Sequence, residues 1–288
     1  MSAVYAVDCD PTGEYVLTGS GNGRIDCIRW STRKVVTQFS GHGHAVMDVH
    51  IGGESGTTFM SAGGEDRCAL LWDVVSGKVI RRFAGHAGSV NTVFCGERDV
   101  LMTGSYDGKV RIFDKRNMSR EPVQVLADAK DSIETVDMQS TFIVSGSADG
   151  HVRVYDMRKG LMHSDLVGFA SVGIDPVTTS RAKYEPIMRV RLGIDGAYYA
   201  ALLLGGTCKL IDLELGEILQ TFEASTNPKS LRCNAMLFDG NEERLFTGGA
   251  DGTVSSWDIL SGDHQVIQTS EEPILSMAFN KSKNLLIC

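Results

Sequence analysis

Residues 101–114 read LMTGSYDGKVRIFD, and residues 143–156 read IVSGSADGHVRVYD. Seven of the fourteen positions are identical across a spacing of 42: Gly104/Gly146, Ser105/Ser147, Asp107/Asp149, Gly108/Gly150, Val110/Val152, Arg111/Arg153 and Asp114/Asp156. The others keep their chemical type, with Ile112 and Val154 β-branched and Phe113 and Tyr155 aromatic. Each stretch sets two short runs of strand-forming residues around an Asp-Gly turn, the composition of a β-hairpin. A near-copy at this distance marks a repeat architecture.

The turn residue serves as a marker along the chain. Matching turns centre on Asn22, Asp66, Asp107, Asp149, Gly205 and Asp251, at spacings of 44, 41, 42, 56 and 46. Six residues after each marker stands an apolar or aromatic side chain: Ile28, Trp72, Phe113, Tyr155, Ile211 and Trp257. An aspartate follows it in every copy except the first, which has Arg29 and then Trp30. Copy three divides into SVNTVFC, VLMTGS, VRIFD and EPVQVL, four strands in about 40 residues. No long stretch has helical periodicity. The pattern predicts an all-β chain of repeated four-stranded units, a β-propeller.

Gly41-His42 and Gly85-His86 precede two copies, and Trp72-Asp73 and Trp257-Asp258 end strands in two others. In these residues the chain resembles the WD-repeat family over essentially its whole length. The resemblance implies one propeller domain, 1–288, with six full four-stranded blades and an incomplete seventh. The full blades are expected at 2–39, 44–83, 89–126, 132–167, 186–222 and 230–268, with an insertion at 168–185 and the partial blade at 273–288. PILSMAF and NLLIC supply the two strands of that last blade, and SAVYAVDC is the inner strand of the first. Two explanations stay open: a shortened chain, or a naturally two-stranded last blade.

In WD-repeat proteins a His, a strand Ser or Thr, the turn Asp and a Trp N–H form one hydrogen-bonded network. Carried over by position, copy three offers His86, Thr103, Asp107 and Phe113; copy two offers His42, Asp66 and Trp72, with Ala62 in the hydroxyl slot. Copy four has Ser145, Asp149 and Tyr155, with Ala129 in place of His, and copy six has Thr247, Asp251 and Trp257. Copies one and five have lost the acid, to Asn22 and Gly205. These are the residue types of a hydrolase triad, but a triad occurs once and this set recurs in degraded forms. The expected role is structural pinning, and no enzyme activity is expected. TGSGNG at 18–23 is not spaced G-x-G-x-x-G and leads into a strand. The histidines at 44, 50, 151, 163 and 264 lack metal-ligand spacing, so no cofactor or metal is expected.

A net charge of −8 argues against broad nucleic-acid binding, which needs a basic face. The longest apolar runs, such as 198–204, are too short to span a bilayer, and the N-terminus lacks the layout of a signal peptide. Seven scattered cysteines without a C-x-x-C read as free thiols in a reducing compartment. A cytoplasmic location, with a nuclear share, is the expectation.

Function is expected on the loops. The loops leading into the inner strands carry mixed chemistry, represented by His44, Ser89 and Asp131, and suit a protein ligand. They show no cluster of carboxylates or histidines at the channel mouth. Arg181, Lys183 and Tyr184 leave two readings of the long insertion open, a docking or modification site or a disordered connection. On the opposite face, FDKR and YDMR resemble the aromatic-Asp-x-Arg boxes of WD-repeat substrate receptors for cullin-RING ubiquitin ligases. That resemblance gives Arg116 and Arg158 the role of docking a ligase adaptor. Longer stretches, among them ALLWDVVSGKVIRRFAGHAGSVNTV at 69–93, resemble the kinase-organizer group of WD-repeat scaffolds. This implies a non-enzymatic scaffold for a mitogen-activated kinase cascade, associated with the spliceosome. The expected partners are therefore kinase-cascade components, splicing factors or a ligase adaptor. No direct nucleic-acid or membrane contact is expected of what is a monomer within larger complexes.

Overall fold

The computed structural model describes residues 3–53, 56–96, 99–117, 119–168, 184–223, 233–280 and 283–288. Within them the chain runs through 26 strands. Blade one is β1 (Val4–Cys9), β2 (Tyr15–Ser20), β3 (Arg24–Arg29) and β4 (Lys34–Ser40); blade two is β5 (Val46–Gly52), β6 (Thr58–Gly63), β7 (Cys68–Asp73) and β8 (Val79–Phe83). Blade three is β9 (Val90–Cys95), β10 (Val100–Ser105), β11 (Val110–Asp114) and β12 (Gln124–Leu126). Blade four is β13 (Ile133–Gln139), β14 (Phe142–Ser147), β15 (His151–Asp156) and β16 (Leu161–Leu166). Blade five is β17 (Ile187–Leu192), β18 (Tyr198–Leu203), β19 (Cys208–Asp212) and β20 (Ile218–Phe222). Blade six is β21 (Cys233–Phe238), β22 (Arg244–Gly249), β23 (Thr253–Asp258) and β24 (His264–Thr269), and β25 (Ala278–Asn280) with β26 (Leu285–Ile287) forms the seventh.

Each full blade is an antiparallel meander in chain order, and the seventh sheet has two strands. The expected all-β propeller with six full blades and a partial seventh is what the chain forms. Two strand boundaries differ from expectation. The outer strand of blade three is only Gln124–Leu126, shorter than EPVQVL. Of PILSMAF, only Ala278 and Phe279 are in strand; 273–277 runs irregularly, tied to blade six by Ile274 N–H on the Gly249 carbonyl (3.0 Å). Most of the insertion, 169–183, lies outside the described residues.

The inner strands pack around a channel in the sequence β1, β5, β9, β13, β17, β21, β25 and back to β1. A bulge near the start of these strands shifts their side-chain phase. Residues three apart then share a face: Ile133 and Val136 pack at Gly104, and Ile187 and Val190 at Gly146. A Cβ on Gly146 would meet Ile187 at 2.7 Å, so the glycine of S-G-S exists to admit the next blade. Core clusters accordingly span blade joints, as where Trp72 packs with Phe39 of blade one and Phe59 of its own. Burying each such side chain contributes about 1.5–3 kcal/mol.

Polar stitches cross the same joints near the channel. Asp8 accepts from Ile51 N–H (2.7 Å) and Asp48 from Val93 N–H (3.0 Å) and the Thr92 hydroxyl (2.9 Å). Asp137 accepts from Leu192 N–H (2.9 Å) and Thr135 from Val190 N–H (3.4 Å). The ring closes the same way. Ser276 accepts from Val7 N–H (3.1 Å), while Asn280 Nδ2 (2.8 Å) and Lys283 Nζ (3.0 Å) donate to the Gly13 carbonyl.

Candidate functional site

In blade three His86, Thr103 and Asp107 lie in one hydrogen-bonded set. His86 bonds Asp107 through Nδ1 (3.0 Å) and Thr103 through Nε2 (2.8 Å), while Ala87 N–H donates to Asp107 (3.0 Å). Phe113 closes the set from below, buried against Phe83. Burial pushes the His86 imidazole below its ordinary value, despite the opposing Asp107. Burial alone would raise the Asp107 carboxyl, but Ala87 N–H and His86 outweigh it and hold it low. The acid therefore clips the loop leading into the blade onto the hairpin turn.

Blade two corrects the expectation that Ala62 fills the hydroxyl slot. Ser61 fills it: Trp72 Nε1–H donates to Ser61 Oγ (2.8 Å), Ser61 bonds His42 Nε2 (2.7 Å), and His42 Nδ1 bonds Asp66 (2.8 Å). Carboxylate can only accept, so Nδ1 carries a proton toward Asp66, and burial, which pushes the His42 imidazole below its ordinary value, favours the neutral ring with Nε2 accepting from Ser61. The offset arises because β6 and β7 are joined by a turn one residue longer. Gly63 pairs Cys68 directly, and Arg67 takes the left-handed conformation (φ 52°) that Gly108 takes in blade three. His42, Asp66 and Cys68 bring three ligand atoms within 4.8 Å. Both His42 nitrogens and the carboxylate are already engaged, and burial pushes the Cys68 thiol up, which suits a pin better than a metal centre.

In blade four Ser145 stays out of the Asp149 network, its buried hydroxyl making no hydrogen bond of normal geometry. With Ala129 in place of His, Arg153 supplies a two-pronged bond to Asp149 (3.2 and 2.7 Å), and Lys130 N–H adds a third (3.0 Å). Tyr155 turns away to donate to Asp128 (3.2 Å). In blade six Trp257 Nε1–H donates to Thr247 (3.0 Å), and among the described residues the exposed Asp251 caps its own turn through Thr253. Blade five reverses the roles. Gly205 carries no acid, and Glu185 reaches back from the preceding loop to its N–H.

The partner-binding candidates divide between two faces. His44 is exposed and paired with Glu65 (3.2 Å) beside the Asp66 turn. Ser89 is half-buried and gives its carbonyl to Tyr106 N–H, whereas Asp131 is exposed, with Oδ1 on Ser132 N–H (2.7 Å). Tyr184 is exposed near His151, while Arg181 and Lys183 lie outside the described residues. On the opposite face the Arg116 and Arg158 side chains are 72% and 67% exposed, in the matching turns of adjacent blades. Arg116 is held by Asp114 through Nε (3.2 Å) and Nη2 (3.0 Å), and Arg158 sits 3.6 Å from Asp156. Arg81 braces the Arg116 turn by donating to the carbonyls of Asp114, Asn117 and Ser119.

The channel carries a cluster that the loops gave no sign of. It forms a cavity of about 320 Å³ whose wall includes Asp8, Asp48, His50, Asp137, Arg189 and Arg191. These residues sit on four inner strands far apart in sequence, so only the repeat register reveals that they converge. The three acids are engaged by main-chain N–H groups, and burial pushes the Asp8 carboxyl up. They stitch blades, and none is held ready as a base.

The family described as WD domain, G-beta repeat matches residues 1–27, 33–73, 77–114, 120–156 and 216–258. Over 275 residues the chain is 30% identical to the WD repeat domain-containing protein 83 homolog of Dictyostelium discoideum, covering 90% of this chain and 83% of that one. It is 35% identical over 269 residues to an uncharacterized WD repeat-containing protein of Schizosaccharomyces pombe, covering 93% and 83%. A shorter match, 44% over 62 residues, joins it to THO complex subunit 6 of Arabidopsis thaliana, covering 21% and 16%. WD-repeat propellers generally act as protein-interaction scaffolds. Hairpin pins, blade joints and matched repeats together place the chain in the WD-repeat family.

Proposed function

We propose that the chain is a non-enzymatic scaffold of the kinase-organizer type, assembling components of a mitogen-activated kinase cascade and associating with the spliceosome. The observation that carries this reading is the division of its chemistry. Histidines, hydroxyls and acids that recur between blades bond inward, while the exposed turns differ from blade to blade. Repeated chemistry builds the ring, and individual chemistry is left for partners. Work in the cytoplasm and the nucleus, as a monomer within larger assemblies, belongs to the same proposal.

A second reading, docking of a ubiquitin-ligase adaptor, is favoured by the exposed Arg116 and Arg158 in matching turns. Such docking has to draw Arg116 from Asp114 or recognise the pair as one unit. Affinity purification of the tagged protein beside an Arg116→Ala/Arg158→Ala variant separates the readings. The scaffold reading expects the same kinases or splicing factors from both proteins. Recovery of a ligase adaptor that vanishes with the variant overturns it.

A further inference from the structure

At most blade joints an acceptor on one inner strand meets N–H groups of the next. Asp8 meets Ile51, Asp48 meets Val93, Thr135 and Asp137 meet Val190 and Leu192, and Ser276 meets Val7. The pairing register fixes which amides these are. Val93 stands opposite Thr103, Val190 opposite Ala201 and Val7 opposite Thr18, all at one level of the second strand. Met236 stands opposite Thr247 at that level, so its N–H, and that of Phe238 two residues on, faces blade five.

Blade five presents no acceptor there. The positions matching Thr135 and Asp137, two and four residues beyond the first paired residue of the strand, are Arg189 and Arg191. Guanidinium has five donors and no acceptor. Arg189 makes no hydrogen bond or ion pair among the described residues; Asp48 lies farther off and attracts it, and burial pushes its proton affinity down. Arg191 has one loose ion pair, Nη1 to Asp137 at 3.7 Å. Both arginines line the channel with Met236 and Phe238. Ala235 and Leu237 leave the next joint without an acceptor too, but with no cation.

We propose that the joint between blades five and six binds one oxyanion, a carboxylate or a phosphate, held by Arg189, Arg191 and the N–H groups of Met236 and Phe238. The anion stands where Asp137 stands one joint earlier. Of the acids nearby, Asp48 and Asp137 are tied to amides, Asp239 to the Glu243 and Arg244 N–H groups, and Glu242 to Ile194 N–H (2.7 Å) and the Tyr198 hydroxyl (2.6 Å), while Glu134 attracts Arg189 without forming an ion pair with it. The site is independent of which proteins the outer faces dock.

Calorimetric titration at low ionic strength tests it with two probes, inorganic phosphate and the peptide acetyl-Gly-Glu-Gly-amide. Saturable binding of at least one, at one equivalent, is expected, and the stronger probe tells a free phosphate from a protein carboxylate. Arg189→Gln should weaken it about tenfold, the loss of one charge-assisted contact, and a change at the exposed Lys34 of the first blade, Lys34→Gln, should leave it unchanged. If Arg189→Gln fails to fold, the wild-type titration still decides. Saturation by neither probe, equal affinity in a folded Arg189→Gln protein, or saturation by acetyl-Gly-Lys-Gly-amide instead overturns the site.

Discussion

At the scale of single residues, the same aspartate does different work in different blades. Asp149 and Arg153 are both buried, with side chains 10% and 4% exposed, and Arg153→Ala leaves the carboxylate on the Lys130 and His151 N–H groups alone, which should cost about 1–3 kcal/mol in urea unfolding. Among the described residues Asp251 makes an exposed turn cap, so Asp251→Ala should cost under about 0.5 kcal/mol. The marker spacing makes the two acids look alike. What it hides is that Arg111 and Arg153 share a sequence position but not a role. In blade three His86 takes the acid, and Arg111 is aimed at Gly85, where a Cβ would lie 2.4 Å from Nη1. Ser61 was hidden by the one-residue lengthening of its turn. The histidines also make stability depend on pH. Burial lowers the folded-state values of His42 and His86 below the unfolded value of about 6.5. Below that value the unfolded chain binds the extra protons, so stability should fall as pH drops from 7.5 to 5.5. His42→Gln/His86→Gln should be less stable yet show a flatter pH slope; a wild-type stability that holds or rises over this range contradicts the assignment.

At the scale of strands and turns, the sequence was most readable where local chemistry decides. Asp-Gly turns and β-branched runs are local signals, and the hairpins fall where they predict. The inner strand of blade seven was less readable, because 273–277 is held by contacts to blades six and one and not by a ladder. Four joints share a device visible only in three dimensions: Gly19, Gly104, Gly146 and Gly248 on the second strand each face two apolar side chains, three apart, from the next blade. Gly146→Ala should therefore act as an overpacking change and cost about 1–3 kcal/mol, read as a lower midpoint of unfolding. A neutral outcome would mean that Ile187 and Val190 can retreat and that the joint is looser than its packing implies.

At the scale of the whole molecule, six meanders and a two-stranded sheet behave as one ring only if the last sheet grips the first. Nothing local announces that grip or the channel cluster, since both join side chains from distant copies. Val7 meets Ser276 across 269 positions, and Asn280 and Lys283 share the Gly13 carbonyl across 267 and 270. Open repeat arrays lose cooperativity and expose strand edges, so closure matters for solubility as well as stability. The most direct measurement is urea unfolding of the Ser276→Ala/Asn280→Ala variant, followed at once by far-ultraviolet dichroism and by tryptophan fluorescence. The closed ring predicts one coincident transition in the wild type and a loss of about 2–4 kcal/mol in the variant, from one buried and one half-buried hydrogen bond across the joint. An unchanged midpoint would contradict it, by showing that the seventh sheet does not hold the first blade in place.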